Sequence, residues 1–199
     1  MSDEFHAPRL DAPIDLDAHL RLLPRNATCK GLFFLSAIRL LREAERLDVL
    51  RPLGLDGRRF LPFFDYPYAD LLRLNVATGA AVYPDESPGE GVRRMGQAAY
   101  DALLESRVGR VIFGALGLRF GLVVRHGPKG WQVAQNFGHA TIEDLADKHV
   151  RVHIHEMPAL LETAQVGAVE GAMRACQTKG EVRVKMRSLA SAVFDVQWV

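Results

Sequence analysis

The chain has 199 residues, of which 48% are hydrophobic and 25% charged, with a formal net charge of +1. These averages fit a globular domain and exclude a disordered chain, a disulfide scaffold, a collagen-like fibre and a strongly charged nucleic-acid arm. The charge is also even: residues 1–70 hold 10 basic and 11 acidic side chains, and residues 71–199 hold 15 and 13. The two cysteines, Cys29 and Cys176, lie far apart in apolar surroundings, which predicts two buried thiols. The start of the chain is acidic and has no leader pattern, and no apolar run approaches a membrane span. A cytoplasmic protein with no membrane partner is expected.

Residues 1–27 read as a lead-in, loose up to Pro13, with a short helix capped by Asp15 and stopped by Pro24. A helix is predicted from about Lys30 to Leu47, because Leu32, Phe33, Ala37, Ile38, Leu40, Leu41 and Ala44 recur at helical spacing. Residues 48–66 form a long connection, and Pro67 suits the first turn of the next helix. Ser87-Pro88-Gly89-Glu90 is a helix start, with Ser87 as cap and Glu90 as capping-box partner. Ser106 is placed to cap a further helix carrying Val108, Val111, Ile112 and Leu116. Phe120 to Val124 suits either a helix end or a first strand. Gly127-Pro128-Lys129-Gly130 reads as a turn after which the period changes to that of strands.

His149 to His155 alternates cleanly, with Val150, Val152 and Ile154 on one face and His149, Arg151, His153 and His155 on the other. Pro158 opens a helix that runs to Cys176. Two alternating runs follow, from Glu181 to Arg187 and from Ala190 to Trp198, joined near Ser188 and Leu189 as a hairpin. The predicted fold is α+β, a helical N-terminal half packed on a small, mainly antiparallel sheet with one long inserted helix. A single domain is expected over 28–199, its helical part 28–126 and its sheet-plus-helix part 127–199.

Five landmarks occur in order: Lys30-Gly31-Leu32-Phe33-Phe34, Asp65-Tyr66-Pro67-Tyr68-Ala69-Asp70, Ser106-Arg107-Val108-Gly109-Arg110-Val111, Asn136-Phe137-Gly138, and Gln165-Val166-Gly167-Ala168-Val169-Glu170-Gly171. With them the chain resembles a myxobacterial paralogous family of uncharacterised domains, from about Thr28 to Trp198. That resemblance implies no assigned reaction. One departure is Gln177-Thr178-Lys179 where a glycine is expected soon after Cys176. The element order is also similar, at fold level, to haem nitric-oxide sensors and to vesicle-tethering ligand-binding domains. The Tyr-x-Ser-x-Arg motif of the haem sensors is absent, so no cofactor is expected.

Four constellations could carry chemistry. His149, Arg151, His153 and His155, with His139 upstream, could offer two or three metal ligands on one strand face, against the simpler reading of a polar outer face. No metal site is assigned. Arg183, Lys185 and Arg187 form a basic stripe, but the near-zero net charge argues against nucleic acid as a partner. Phe60, Phe63, Phe64, Tyr66 and Tyr68 place five of the chain's 16 aromatics within nine residues. They are the candidate lining of a ligand pocket, or else rings that pin a loop to the core. The small-residue helix offers Gly167 and Gly171 as an interaction surface, either for its own sheet or for a second subunit. Glu170 between them would need a partner if buried, and Arg174 is the local candidate.

No GxSxG elbow, Walker loop, Rossmann GxGxxG or EF-hand loop occurs. The leading expectation is a non-catalytic regulatory or sensory domain in signalling that binds a small apolar or amphipathic ligand through Phe60, Phe63, Phe64, Tyr66 and Tyr68. The alternative is a protein–protein interaction or homodimerisation module, using Gly167 and Gly171 or the sheet face, with a protein partner and no ligand. A hydrolase or metal enzyme built on the histidine run ranks third.

Overall fold

A computed structural model describes residues 4–105 and 117–199. The helix start at Ser106 and the landmark Ser106–Val111 lie outside the described residues. The described residues hold six α-helices and two antiparallel sheets.

The first helix, α1 (Leu16–Leu22), starts where Asp15 accepts a hydrogen bond from the Ala18 amide at 2.9 Å. Strand β1 (Thr28–Lys30) pairs with β2 (Asp65–Pro67), and helix α2 (Leu32–Glu43) lies between them. Asp65 does not cap the next helix. It pairs with Lys30 at 2.9 Å, and Pro67 stands at the cap of α3 (Tyr68–Val82).

Helix α4 (Pro88–Glu105) begins as the sequence predicts, with the Glu90 amide donating to Ser87 Oγ at 3.2 Å. Glu90 does not return to the cap, because its carboxylate is taken by Arg93 and Arg94. Glycines let α4 sit close to two neighbours. Gly91 meets the backbone of Gly79 in α3, and Gly96 meets that of Ala164 on the other side. A side chain at either place would push the helices apart.

Helix α5 (Phe120–Ala134) corrects the predicted turn at Gly127-Pro128-Lys129-Gly130, since the helix runs through it with Pro128 inside. Proline deprives the Val124 carbonyl of its donor. Burial of Phe120, Val123 and Val124, together with the half-buried Trp131, holds the segment helical despite that loss. Trp131 and Val133 are therefore helical rather than strand residues.

The second sheet has the order β3-β4-β6-β5, all antiparallel, with β3 (His139–Ala146), β4 (His149–His155), β5 (Gly180–Ser188) and β6 (Ser191–Trp198). One π-helical turn (Leu161–Gln165) leads into α6 (Val166–Ala175). Val150, Val152 and Ile154 are buried as the alternation predicts, opposite Val196, Phe194 and Ala192 of β6. The buried helix faces and this sheet face form one continuous hydrophobic cluster.

Residues 4–13 are not loose. The His6 amide donates to the Val184 carbonyl at 3.0 Å, and the Val184 amide donates to the His6 carbonyl at 2.8 Å. Leu10 accepts from Ser87 Oγ at 2.8 Å at the start of α4. An extended segment thus borders β5.

Candidate functional site

The five aromatic candidates do not gather around one cavity. Phe60 stacks on Phe34 with centroids 4.4 Å apart, and Tyr66 meets Phe60 edge-on at 4.9 Å. Arg58 closes over both Phe60 and Tyr66 and pairs with Asp70 at 3.2 Å. Tyr68 packs against Phe137 instead, at 4.6 Å. Phe63 and Phe64 are each 62% exposed. Aromatics pay off in contact area, so rings already stacked on each other leave no room between them.

The apolar space lies elsewhere, between α4, α5, α6 and β4. Tyr100 of α4, Phe120, Val124, Pro128 and Trp131 of α5, and Val152 of β4 line it, and Ala168 and Ala172 of α6 form its floor. Its volume is about 60 Å³. On the scale where one water needs roughly 10–15 Å³, that is room for about five heavy atoms. Sequence reasoning missed it because its lining comes from four elements scattered over 73 positions of sequence. The one local signal was the Gly-Pro-x-Gly run, whose missing bulk faces the cavity at Gly127 and Pro128.

The wall formed by α5 is fixed from outside. Arg125 Nε donates to Asp144 Oδ1 at 2.6 Å, and its guanidinium covers Trp198 at 5.5 Å. Phe120 meets the same Trp198 ring edge-on at 5.2 Å. The floor is fixed to α4. A Cβ on Gly167 would meet the Arg93 carbonyl, and one on Gly171 would meet Gln97 and Tyr100. The small-residue face of α6 thus has its occupant in the same chain. Glu170 does need a partner, but Arg93 supplies it through two bonds of 2.7 and 2.8 Å, with Gln97 adding one of 2.9 Å. Arg174 turns to Asp101 instead.

The histidine run is split among carboxylates and one ring pair. His153 Nε2 lies 2.9 Å from Glu143, and His149 Nε2 lies 2.9 Å from Asp195. His139 stacks on its cross-strand partner His155 at 5.0 Å. Among the described residues no group of three or more His, Cys, Asp or Glu converges for a metal ion.

Burial pushes the Cys29 thiol up to about 12 and raises that of Cys176 as well, so both stay protonated rather than nucleophilic. Burial alone would also raise the Asp195 carboxyl. Hydrogen bonds from His149, Arg151 and Gln197 outweigh it and hold the group below its ordinary value. A depressed carboxyl stabilises the fold above its unfolded value of about 3.9, and that stability is lost as pH falls through the folded value. Asp195→Asn is therefore expected to flatten the acid limb of stability below about pH 4, read by urea midpoints from pH 2.5 to 6. An unchanged acid limb would remove Asp195 from this role.

Solved structures share this layout. An H-NOX protein from S. oneidensis in its Fe(II)NO state superposes with a TM-score of 0.67 at 14% identity, covering 85% of this chain and 99% of that one. An oxygen-binding H-NOX domain related to soluble guanylate cyclases gives 0.66 at 14% identity, over 85% and 94%. A mutant H-NOX protein from K. algicida gives 0.64 at 12%, over 85% and 96%. The class is thus an α+β domain of H-NOX-like fold. The chain belongs to the DUF2378 family, described as a protein of unknown function, whose family model matches residues 23–199. No curated protein sequence matches it. No helix of the described residues is long and apolar enough to cross a membrane.

Proposed function

We propose that this chain is a regulatory, non-catalytic domain that takes a compact apolar ligand in the cavity between α4, α5, α6 and β4. The observation that carries the reading is that cavity itself, walled by Phe120, Val124, Trp131 and Val152, with Pro128 inside α5 also lining it. Residues 28–199 act as one unit in this reading. Ligand selects one packing of α5 and α6 on the sheet, a population shift between two arrangements.

The fold neighbours are named for H-NOX domains with iron and its gas ligands, so haem must be tested against these residues. It does not fit. All seven histidines of the sequence lie within the described residues, and none lines the cavity. Among the described residues neither cysteine nor any methionine lines it either. Among the described residues Tyr100 is the one lining side chain with an oxygen, and burial keeps its phenol protonated. Haem iron needs a His, Cys, Met or Tyr ligand, and a porphyrin needs far more than about 60 Å³. The ligand is therefore a small apolar molecule bound by shape and contact alone.

The test is thermal unfolding of the full chain with cyclopropane, cyclopentane or glycerol. An apolar probe at about ten times its Kd adds roughly 1.4 kcal/mol, so the midpoint should rise by about 3–5 °C for a chain of this size. Glycerol should give no such rise, and Ala168→Met, which fills the floor, should abolish the effect. Equal shifts in wild type and Ala168→Met would place binding elsewhere. A retained Soret band with stoichiometric haem after hemin exposure would overturn the haem argument.

A further inference from the structure

We propose that the free edge of β5, with the basic outer face beside it, is a docking site for an extended, acidic, aromatic-bearing segment of a partner protein, held closed by this chain's own residues 4–7. The segment behaves as a short extra strand. Among the described residues of the segment, His6 alone pairs with β5, through two backbone hydrogen bonds to Val184. Alternate residues of an edge strand point their backbone groups the same way. Val182 and Met186 therefore present the same outward donors and acceptors as Val184. The described residues give them no backbone partner on that side. A nine-residue edge strand is thus capped over a single residue, which leaves the rest of the edge as a template for strand addition.

The two faces of the segment show what the site recognises. Phe5 lies on the outer sheet face, where the Arg151 guanidinium covers its ring at 5.2 Å and Arg183 donates to its carbonyl at 3.3 Å. On the same outer face Val193 and Asp195 are 5% and 7% exposed, Asp195 among His149, Arg151 and Gln197. His6 turns to the helix side, 3.5 Å from Glu162 in the π-helical turn, and the Arg9 amide donates to the same carboxylate at 3.0 Å.

The charges agree with this occupant. The strand face and edge carry Arg151, Arg183, Lys185 and Arg187, beside Glu181 and Asp195, and the covering segment, described from Glu4, brings an acidic residue directly before Phe5. An arginine over an aromatic ring and a basic stripe along the edge suit an extended segment with an acidic residue before an aromatic one. Pro8 follows the segment and ends its pairing, since proline has no amide to donate. The closed state pairs with the strand at one residue, so a segment that pairs at Val182 and Met186 as well could compete with it. This inference does not depend on the cavity.

The test uses the full chain carrying Phe5→Ala with His6→Pro, which removes the ring and the His6 amide. The probe is a fluorescein-labelled peptide with the sequence Ser2 to Pro8, followed by anisotropy. The released variant should bind it saturably and at least tenfold more tightly than wild type. Arg183→Glu in that variant, or a peptide with both acidic residues changed to lysine, should abolish binding. Hydrogen exchange at the Val184 amide should speed up in the released variant and slow again with peptide. Phe5→Ala alone gives the same readout should the double variant lose its circular dichroism spectrum. No saturable binding by a folded variant, or equal binding of the lysine peptide, would overturn the proposal. A wild-type dimer by light scattering that dissociates on Phe5→Ala would also overturn it, by assigning the edge to the second copy's own segment.

Discussion

Gly167→Val should cost about 3 kcal/mol or more and lower the thermal midpoint by roughly 6–12 °C. The reason is geometric. A Cβ at Gly167 would meet the Arg93 carbonyl, and backbone cannot turn aside as a flexible side chain can. The α4–α6 contact must widen, and Gly96 against Ala164 on the same seam widens with it. Because α6 is the floor of the cavity, the same change should weaken binding of apolar probes. Gly130→Ala is the matched control, since a Cβ there meets nothing within 4 Å. It removes a helix-interior glycine and should add about 0.5–1 kcal/mol. Calorimetry on the two variants checks both signs, and a stable Gly167→Val would show that α4 and α6 do not depend on close approach.

The second large effect is expected at Glu170. Glu170→Ala leaves the Arg93 guanidinium and the Gln97 amide without their shared acceptor in a half-buried seam. Hydrogen bonds to charged groups are worth about 1.5–3 kcal/mol, and a bidentate pair stands at the upper end. A loss of about 2 kcal/mol is expected, because Arg93 keeps Glu90 at 2.9 Å. Arg174→Ala should cost less than about 1 kcal/mol, since its pair with Asp101 is exposed on both sides. Urea midpoints measure both. An Arg174 effect larger than the Glu170 effect would reverse the pairing seen here.

The contrast between these two arginines shows how far sequence reading carries. Glu170 and Arg174 stand four apart on one helix, so local spacing names them as partners. Arg93 is 77 positions away and wins because α4 crosses α6 where both backbones are bare. The aromatic loop shows the same limit. Its five rings were legible as a cluster in sequence, yet loop geometry sends Phe60 and Tyr66 onto Phe34, Tyr68 onto Phe137, and Phe63 and Phe64 to solvent. At Gly127–Gly130 local propensity predicts a turn, and packing of Phe120, Val123 and Val124 overrides it.

Other features needed no tertiary information. Asp15 and Ser87 start their helices because a side-chain oxygen satisfies an amide three residues on. Val150, Val152 and Ile154 fall on the buried face because strand side chains alternate. The α+β class and the inserted helix follow from such local periods, whereas the resemblance to an uncharacterised family rests on the order of five short landmarks. The cavity, the Arg93–Glu170 pair and the strap over β5 each join residues distant in sequence. Only the packed chain decides them, because the contact energies that fix them exist only once the helices and sheet have closed on each other.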